Sequence, residues 1–331
     1  MKKPRAMTAT PQEVAERLRR EERVLAVTHE APDGDALGSV SALILMCDRL
    51  GVSCTGYVPG QSAFPSEYSF LPGLDRVARG DSPVTAGGLA VYFLDCASSL
   101  RGDVDGLPKD GLWVNIDHHQ DNPGFGDVNL IDPEAASTTA ILYEIFKAGG
   151  FRIDEEVATA LYVGLVTDTG RFQYSNTTAA AHRLAAQLQD MGCNVAGVYR
   201  QVYESVPLPK MMLMQRMVSR MERRLGDALV VSWLGNGDLE EVGADEGHTE
   251  GLIDTLRCLE GVRVAALARE RKRGPIVETK VSLRSTDGSV DVAELAHERG
   301  GGGHTRAAGF TSDGSAMAVL NWIENALRER L

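Results

Sequence analysis

Three side chains able to bind metal or move protons stand together in Asp117-His118-His119, directly after the apolar run 112–116. A second run, 23–28, leads into His29, Asp33 and Asp35, one imidazole and two carboxylates within seven residues. Two further stretches end alike: 91–94 delivers Asp95, and a helical stretch ending at Thr167 delivers Asp168. The ends of buried strands are where α/β folds keep ligands and chemistry. Taken alone, residues 29–35 also read as a turn in which Asp35 caps a helix beginning at Ala36. The recurrence of Asp or His at the other junctions argues for one shared metal site.

Oxygen and imidazole donors without thiolate favour a hard or borderline divalent ion, manganese or magnesium rather than structural zinc. The donors suffice for two ions. A pair about 3.5–4 Å apart would hold a hydroxide and stabilise the attacking and leaving oxygens of a phosphoryl displacement. The reaction class expected is therefore phosphoester hydrolysis. Asp33, Asp35, Asp95 and Asp168 carry four negative charges, which two divalent cations cancel, so an incoming phosphate needs further positive partners. His304 and Arg306 follow the run Gly300 to Gly303 and could supply them, with glycine N–H groups close to phosphate oxygens and a helix beginning just after. A flexible turn is the other reading of that segment.

The elements that must position these residues alternate. Strand patterns at 23–28, 90–94 and 112–116 are interleaved with helical patterns at 11–20, 36–50, 137–148, 154–166 and 177–191. Apolar, non-alternating strands between helices predict a parallel sheet covered on both faces. Prolines at 207 and 209 interrupt the pattern, and a methionine-rich connecting helix follows, its methionines read as packing residues. The expected divisions are 1–204, a joining segment 205–225, and 226–331. The last part predicts a strand at 228–233, a helix at 249–259, strands at 262–270 and 276–284, and a short helix at 291–298. The basic run Arg269 to Gly274 reads as a solvated hairpin turn. Arg101 and Arg171, near the clusters, are candidates for substrate phosphate, while His182, His248 and His297 stand apart from them.

A chain of 331 residues suits two domains. Its net charge of −12 is uneven: residues 1–208 hold 17 Lys+Arg against 27 Asp+Glu, leaving the remainder at −2. An acidic chain lacks the basic track that long duplexes require, so long nucleic acid is not the expected partner. Five cysteines, odd in number and without Cys-x-x-Cys spacing, read as buried thiols in a reducing compartment. No apolar run spans a membrane, and a cytoplasmic location is expected.

Together these residues resemble the DHH family of phosphoesterases, over nearly the whole chain. His29-x-x-x-Asp33-x-Asp35, Asp95, the triplet 117–119 and the segment 167–172 are similar to its catalytic domain; 282–285 and 300–309 are similar to its associated C-terminal substrate domain. The resemblance implies an α/β fold: a mainly parallel sheet covered by helices in the N-terminal domain, a smaller mixed α/β C-terminal domain, and the active site in the cleft between them. It implies one metal on His29, Asp33 and Asp95 and a second on Asp35, Asp95, His118 and Asp168. His119 would face the substrate phosphate or assist the leaving group, and Asp117 would orient the histidine ligand. Gly301, Gly302, Gly303, His304 and Arg306 would hold a nucleotide, with Arg284 a weaker candidate. The nano-RNase branch fits best, which degrades very short oligoribonucleotides and often dephosphorylates 3′-phosphoadenosine 5′-phosphate. Hydrolysis of cyclic di-AMP or linear dinucleotides, a pyrophosphatase-like activity, a catalytically silent nucleotide-binding module and a homodimer all stay open.

Overall fold

The computed structural model describes residues 7–60, 64–80, 88–97, 107, 111–273 and 276–331. The chain divides into two compact units, Met1–Ser205 and Val206–Leu331. In the first, β1 (Met7–Thr8), β2 (Arg23–Val27), β3 (Ser53–Pro59), β4 (Val77–Gly80), β5 (Ala90–Leu94), β6 (Trp113–Asp117) and β7 (Val128–Ile131) form one sheet in the order β1-β7-β6-β5-β2-β3-β4. Every ladder in it is parallel. The C-terminal ends of β2, β5 and β6 therefore share one edge.

Helices α1 (Pro11–Leu18), α2 (Gly34–Leu50), α3 (Thr138–Ala148), α4 (Glu155–Asp168), α5 (Ala179–Asp190) and α6 (Val195–Tyr199) connect and flank the strands. Each polar N-cap the sequence offers is used: Thr10, Asp33, Ser137, Asp154, Thr178 and Asn194 accept from a first-turn N–H. The alternative in which Asp35 caps α2 is corrected, since Asp33 takes the N–H groups of Asp35 and Ala36 at 3.0 Å each. Asp35 sits inside the first turn. All six helices join a core with Val24, Tyr92, Leu94 and Ile116. On the opposite face Leu25, Val27, Val91 and Phe93 pack with Trp113, Phe125 and Leu107, with no helix among the described residues. Strands buried on both sides read alike whatever covers them, which is why the sequence pattern predicts helices there too.

Two glycines set the spacing of α2 and α4. A Cβ on Gly38 would lie 2.7 Å from the carbonyl of Ala160, and one on Gly164 would lie 2.4 Å from Asp35 Oδ1. Bare backbone at these points lets the helices close until the Asp35 carboxylate rests on α4.

The second unit is built on α7 (Leu208–Ser219), β8 (Glu222–Arg224), β9 (Leu229–Leu234), α8 (Asp238–Val242), α9 (Leu252–Arg257), β10 (Val264–Arg273), β11 (Ile276–Ser285), α10 (Val292–His297), β12 (Gly302–His304), β13 (Ala307–Asp313) and α11 (Ala316–Leu327). Its sheet runs β12-β13-β11-β10-β9-β8, parallel only between β9 and β10. Helices α10 and α11 cover one face, α7 and α9 the other. Leu213 and Met217 bury the inner side of α7, while Met211 and Met212 stay exposed.

Two expectations change here. The glycine-rich segment is followed by a strand rather than a helix: Gly302 pairs with Gly309 and His304 with Ala307 in a tight hairpin. A Cβ on Gly301 would come within 2.1 Å of the Gly309 carbonyl, so glycine permits backbone contact that a larger residue blocks. The basic run is not a solvated turn at its start: Arg269 is buried, donates to Thr249 Oγ1 and approaches Glu246, which also accepts from Arg271. Alternation along β10 turns these two arginines toward the sheet face that carries the short helical turn Glu246–Thr249.

Candidate metal centre

The strand-end residues converge. Asp95 follows β5 in a left-handed backbone conformation, φ 58°, which a non-glycine residue adopts at a cost of about 1–3 kcal/mol, and such strain gathers at functional sites. Its Oδ2 lies 3.6 Å from His29 Nε2 and its Oδ1 3.6 Å from His118 Nε2. His118 Nε2 is in turn 3.7 Å from Asp168 Oδ2, at the last residue of α4. Among the groups of potential ligands whose donor atoms lie within 4.8 Å of one another are His29 with Asp33 and Asp95, and Asp35 with Asp95 and His118. Asp95 belongs to both.

The electrostatics suit a cation. Asp35 and Asp95 are 1% and 2% exposed. Burial, then the charges of Asp95 and Asp168, hold the Asp35 carboxyl well above the usual carboxylate range. Burial lifts Asp168 to about 7 against the pull of His118, with Asp33 and Asp95 adding to the rise. Burial would raise Asp95 too, but the contact from His29 and the charges of His119 and His118 outweigh it and hold the group far below its usual range. Desolvation works against a charge on His118, yet Asp168, Asp95 and Asp35 raise it to about 9. In the metal-free protein, protonated imidazoles thus stand in for positive charge that a divalent ion would bring. The donor set of carboxylates and imidazoles fits such an ion.

His119 is set apart by its partner. Its Nδ1 lies 2.7 Å from Asp117 Oδ1, a carboxylate with no exposure, and that bond with the Asp95 charge raises it to about 9 against desolvation. The sequence reading assigns Asp117 to orient a histidine ligand. Its Oδ1 meets the His119 ring and also accepts the backbone N–H of His118, at 2.8 Å.

Four supporting residues escaped the sequence reading. The first turn of α3 sits over the carboxylates: Thr138 N–H donates to Asp35 Oδ2 at 2.6 Å, and Thr139 donates to Oδ1 from its N–H and hydroxyl at 3.0 and 2.9 Å. The Thr138 hydroxyl donates to Asp95 Oδ1 at 3.1 Å. Asn122 donates to Asp117 Oδ2 at 2.6 Å and to the Cys96 carbonyl at 3.0 Å. Asn176 donates to both the carbonyl and Oδ2 of Asp168 at 3.1 Å. Ser137 capping α3 was the one signal available, marking where the turn begins but not what it faces.

Of the substrate candidates, Arg101 lies outside the described residues. Arg171, three residues past Asp168, is exposed and stacks over Tyr203 at 5.0 Å. In the second unit Arg284, Ala307 and His304 share one row across β11, β13 and β12, which brings Arg284 and His304 to the same sheet face. Arg284 Nε is 3.3 Å from Asp254. Arg306, in the hairpin turn, donates to the Asp287 carbonyl at 3.0 Å. His182 stacks on Phe172, His248 pairs with Asp245, and His297 is exposed.

The chain is similar to known proteins over most of its length. The family described as DHH family, N-terminal domain, matches residues 23–165, and the DHHA1 domain matches 226–329. The bifunctional oligoribonuclease and PAP phosphatase NrnA of Thermus thermophilus is 33% identical over 305 residues, 92% of this chain and 89% of that protein. The Bacillus subtilis protein of the same name is 27% identical over 299 residues, 89% of each. Among solved structures, an exopolyphosphatase-related protein from Bacteroides fragilis superposes with a TM-score of 0.82 at 23% identity, covering 96% of this chain and 95% of that one. That likeness speaks to the fold.

Proposed function

We propose, for a chain that belongs to the DHH family and carries a DHHA1 domain behind it, that it hydrolyses very short oligoribonucleotides to mononucleotides and removes the 3′-phosphate of 3′-phosphoadenosine 5′-phosphate. The observation that carries this reading is the pair of ligand groups sharing Asp95 at the sheet edge. One ion would rest on His29, Asp33 and Asp95, the other on Asp35, Asp95, His118 and Asp168, with manganese favoured by the mixture of imidazole and carboxylate donors. Bound there, two divalent ions polarise a phosphoryl oxygen and activate water at neutral pH.

The chain's own residues do the rest. Asp117 fixes the His119 ring, so a protonated imidazole stands ready to give its proton to the leaving oxygen. Arg171 and Arg101 supply charge for the substrate phosphate in the first unit. In the second, Arg284, His304 and Arg306, with the backbone of Gly301, Gly302 and Gly303, hold the nucleotide. Gly303, at φ 139°, holds a backbone conformation that side chains avoid, and a Cβ there would meet the Ala307 carbonyl at 2.4 Å, so glycine keeps the hairpin in this form. A net charge of −12 repels long polyanions, which favours substrates with few phosphates. Residues 1–204 would be the catalytic domain and 226–331 the substrate domain, joined by 205–225. The names of the relatives in Thermus thermophilus and Bacillus subtilis point to the same two substrate classes.

The test is a manganese-supplemented assay of the full chain on a two-residue RNA, a five-residue RNA, cyclic di-AMP, 3′-phosphoadenosine 5′-phosphate and pyrophosphate, with Asp35→Ala as control. Mononucleotide release from the short RNAs, lost in the control, supports the reading. Turnover of pyrophosphate or cyclic di-AMP alone would replace it, and tight dinucleotide binding without product would make the protein a binding module.

A further inference from the structure

Ser137, Thr138 and Thr139 are three consecutive hydroxyl residues with no solvent exposure. Capping α3 requires only the first: Ser137 Oγ accepts from Ala140 N at 3.1 Å. Each additional buried hydroxyl costs about 1–3 kcal/mol unless it is bonded. Both are bonded, and both reach the metal-centre carboxylates: Thr139 Oγ1 to Asp35, beside a 2.7 Å bond with Ser137 Oγ, and Thr138 Oγ1 to Asp95. Thr138 is hydrogen-bonded to the two at once, through its N–H to Asp35 and its hydroxyl to Asp95.

The oxygen it holds matters. Asp95 Oδ1 faces His118 and Oδ2 faces His29, so the two belong to different ligand groups. They are rigidly linked in one carboxylate, and turning it moves both. Asp95 also has a strained backbone, a conformation that persists only when surrounding contacts hold it. A carboxylate oxygen offers two acceptor positions, so a bond from Thr138 leaves room for an ion.

We infer that Thr138 is a positioning residue that fixes the Asp95 carboxylate against Asp35 and thereby sets both ion positions together, whereas Thr139 serves the Asp35 position alone. This rests on reading the two ligand groups as ion sites. Thr138→Val removes the hydroxyl at nearly constant volume and keeps the backbone N–H. Thr138→Ser keeps the hydroxyl, and Thr139→Val removes the neighbouring one.

Calorimetric titration of the metal-free full chain with manganese measures the two binding steps without reference to turnover. Electron paramagnetic resonance reports whether two bound ions are spin-coupled. Thr138→Val is expected to weaken both steps about tenfold or more and to diminish the coupled-pair signal, Thr138→Ser to restore both to within about twofold, and Thr139→Val to weaken one step only. With the two-residue RNA, kcat falls in Thr138→Val while KM stays within about twofold. Unchanged binding in Thr138→Val overturns the inference, as does a Thr138→Ser variant as defective as the valine, which would assign the effect to packing. Wild-type protein that binds no manganese sinks the ion-site reading and this inference with it. Thermal unfolding of each metal-free variant separates a folding defect from lost binding.

Discussion

Nδ1 of His119 lies 2.7 Å from Oδ1 of Asp117, and the other oxygen of that buried carboxylate accepts from Asn122 at 2.6 Å. The imidazole is therefore held from below by a chain of two side chains, as a histidine that moves a proton requires. His119→Asn is expected to lower kcat about 10²–10⁴-fold while manganese affinity changes little. Steady-state kinetics beside a manganese titration checks this, and full kcat in the variant would remove His119 from the mechanism.

The metal-free protein should lose stability as pH rises. Asp168, lifted to about 7, and His118 and His119, raised to about 9, all bind protons more tightly when folded than in their ordinary state. The folded chain then holds more protons than the unfolded one, so stability falls with pH across the range from about 4 to about 9. Asp95 runs the other way, its contribution disappearing only as pH drops below the usual carboxylate range. Melting curves in chelator should show Tm declining toward pH 9. Added manganese should flatten the decline and release protons on binding, measurable in buffers of different ionisation enthalpy. A flat Tm in chelator would contradict the charge arrangement described.

Gly164→Ala should damage both packing and binding. The added methyl would meet Asp35 Oδ1 at 2.4 Å and the Thr139 side chain at 2.4 and 2.5 Å. Overpacking of this kind costs about 1–3 kcal/mol, and here relief requires moving the carboxylate itself. Urea unfolding should show the loss, with weakened manganese binding beside it. Wild-type stability would mean that α2 and α4 separate more easily than their packing suggests.

Asn176→Ala removes the donor to both the carbonyl and Oδ2 of Asp168. Manganese affinity should fall about tenfold, as loss of a partner to a ligand typically does, with the second domain unaffected. Asn176→Asp should be worse than alanine because it places another negative charge beside Asp168. An aspartate variant that binds as well as wild type would exclude the contact as a determinant.

The residues that converge at the sheet edge were legible because buried parallel strands are largely apolar, so Asp95, Asp117, His118 and His119 stand out where β5 and β6 end. Helices α1 to α5 of the first unit were legible from their periodicity and caps, whereas the five-residue α6 was not read. The short strands β1, β4 and β7 and the glycine-containing β3 carry too weak a pattern, and α11, capped by Ser315, was not read although its pattern is clear. Arg269 was misjudged because a charged run looks solvated until strand alternation decides which of its members face a covering helix.

What the sequence determined by itself was the identity of the chemistry: which residues carry carboxylate and imidazole, and that they lie at the ends of elements. Only the tertiary structure decided which of them meet, and what holds them. Asp35 and Thr139 are 104 residues apart and Asp95 and Thr138 are 43 apart, and no local pattern links a threonine in one helix to a carboxylate in another. The partnership exists because the sheet order and the α2–α4 approach bring the first turn of α3 over two buried charges, where bonded hydroxyls offset a desolvation that neither segment meets alone.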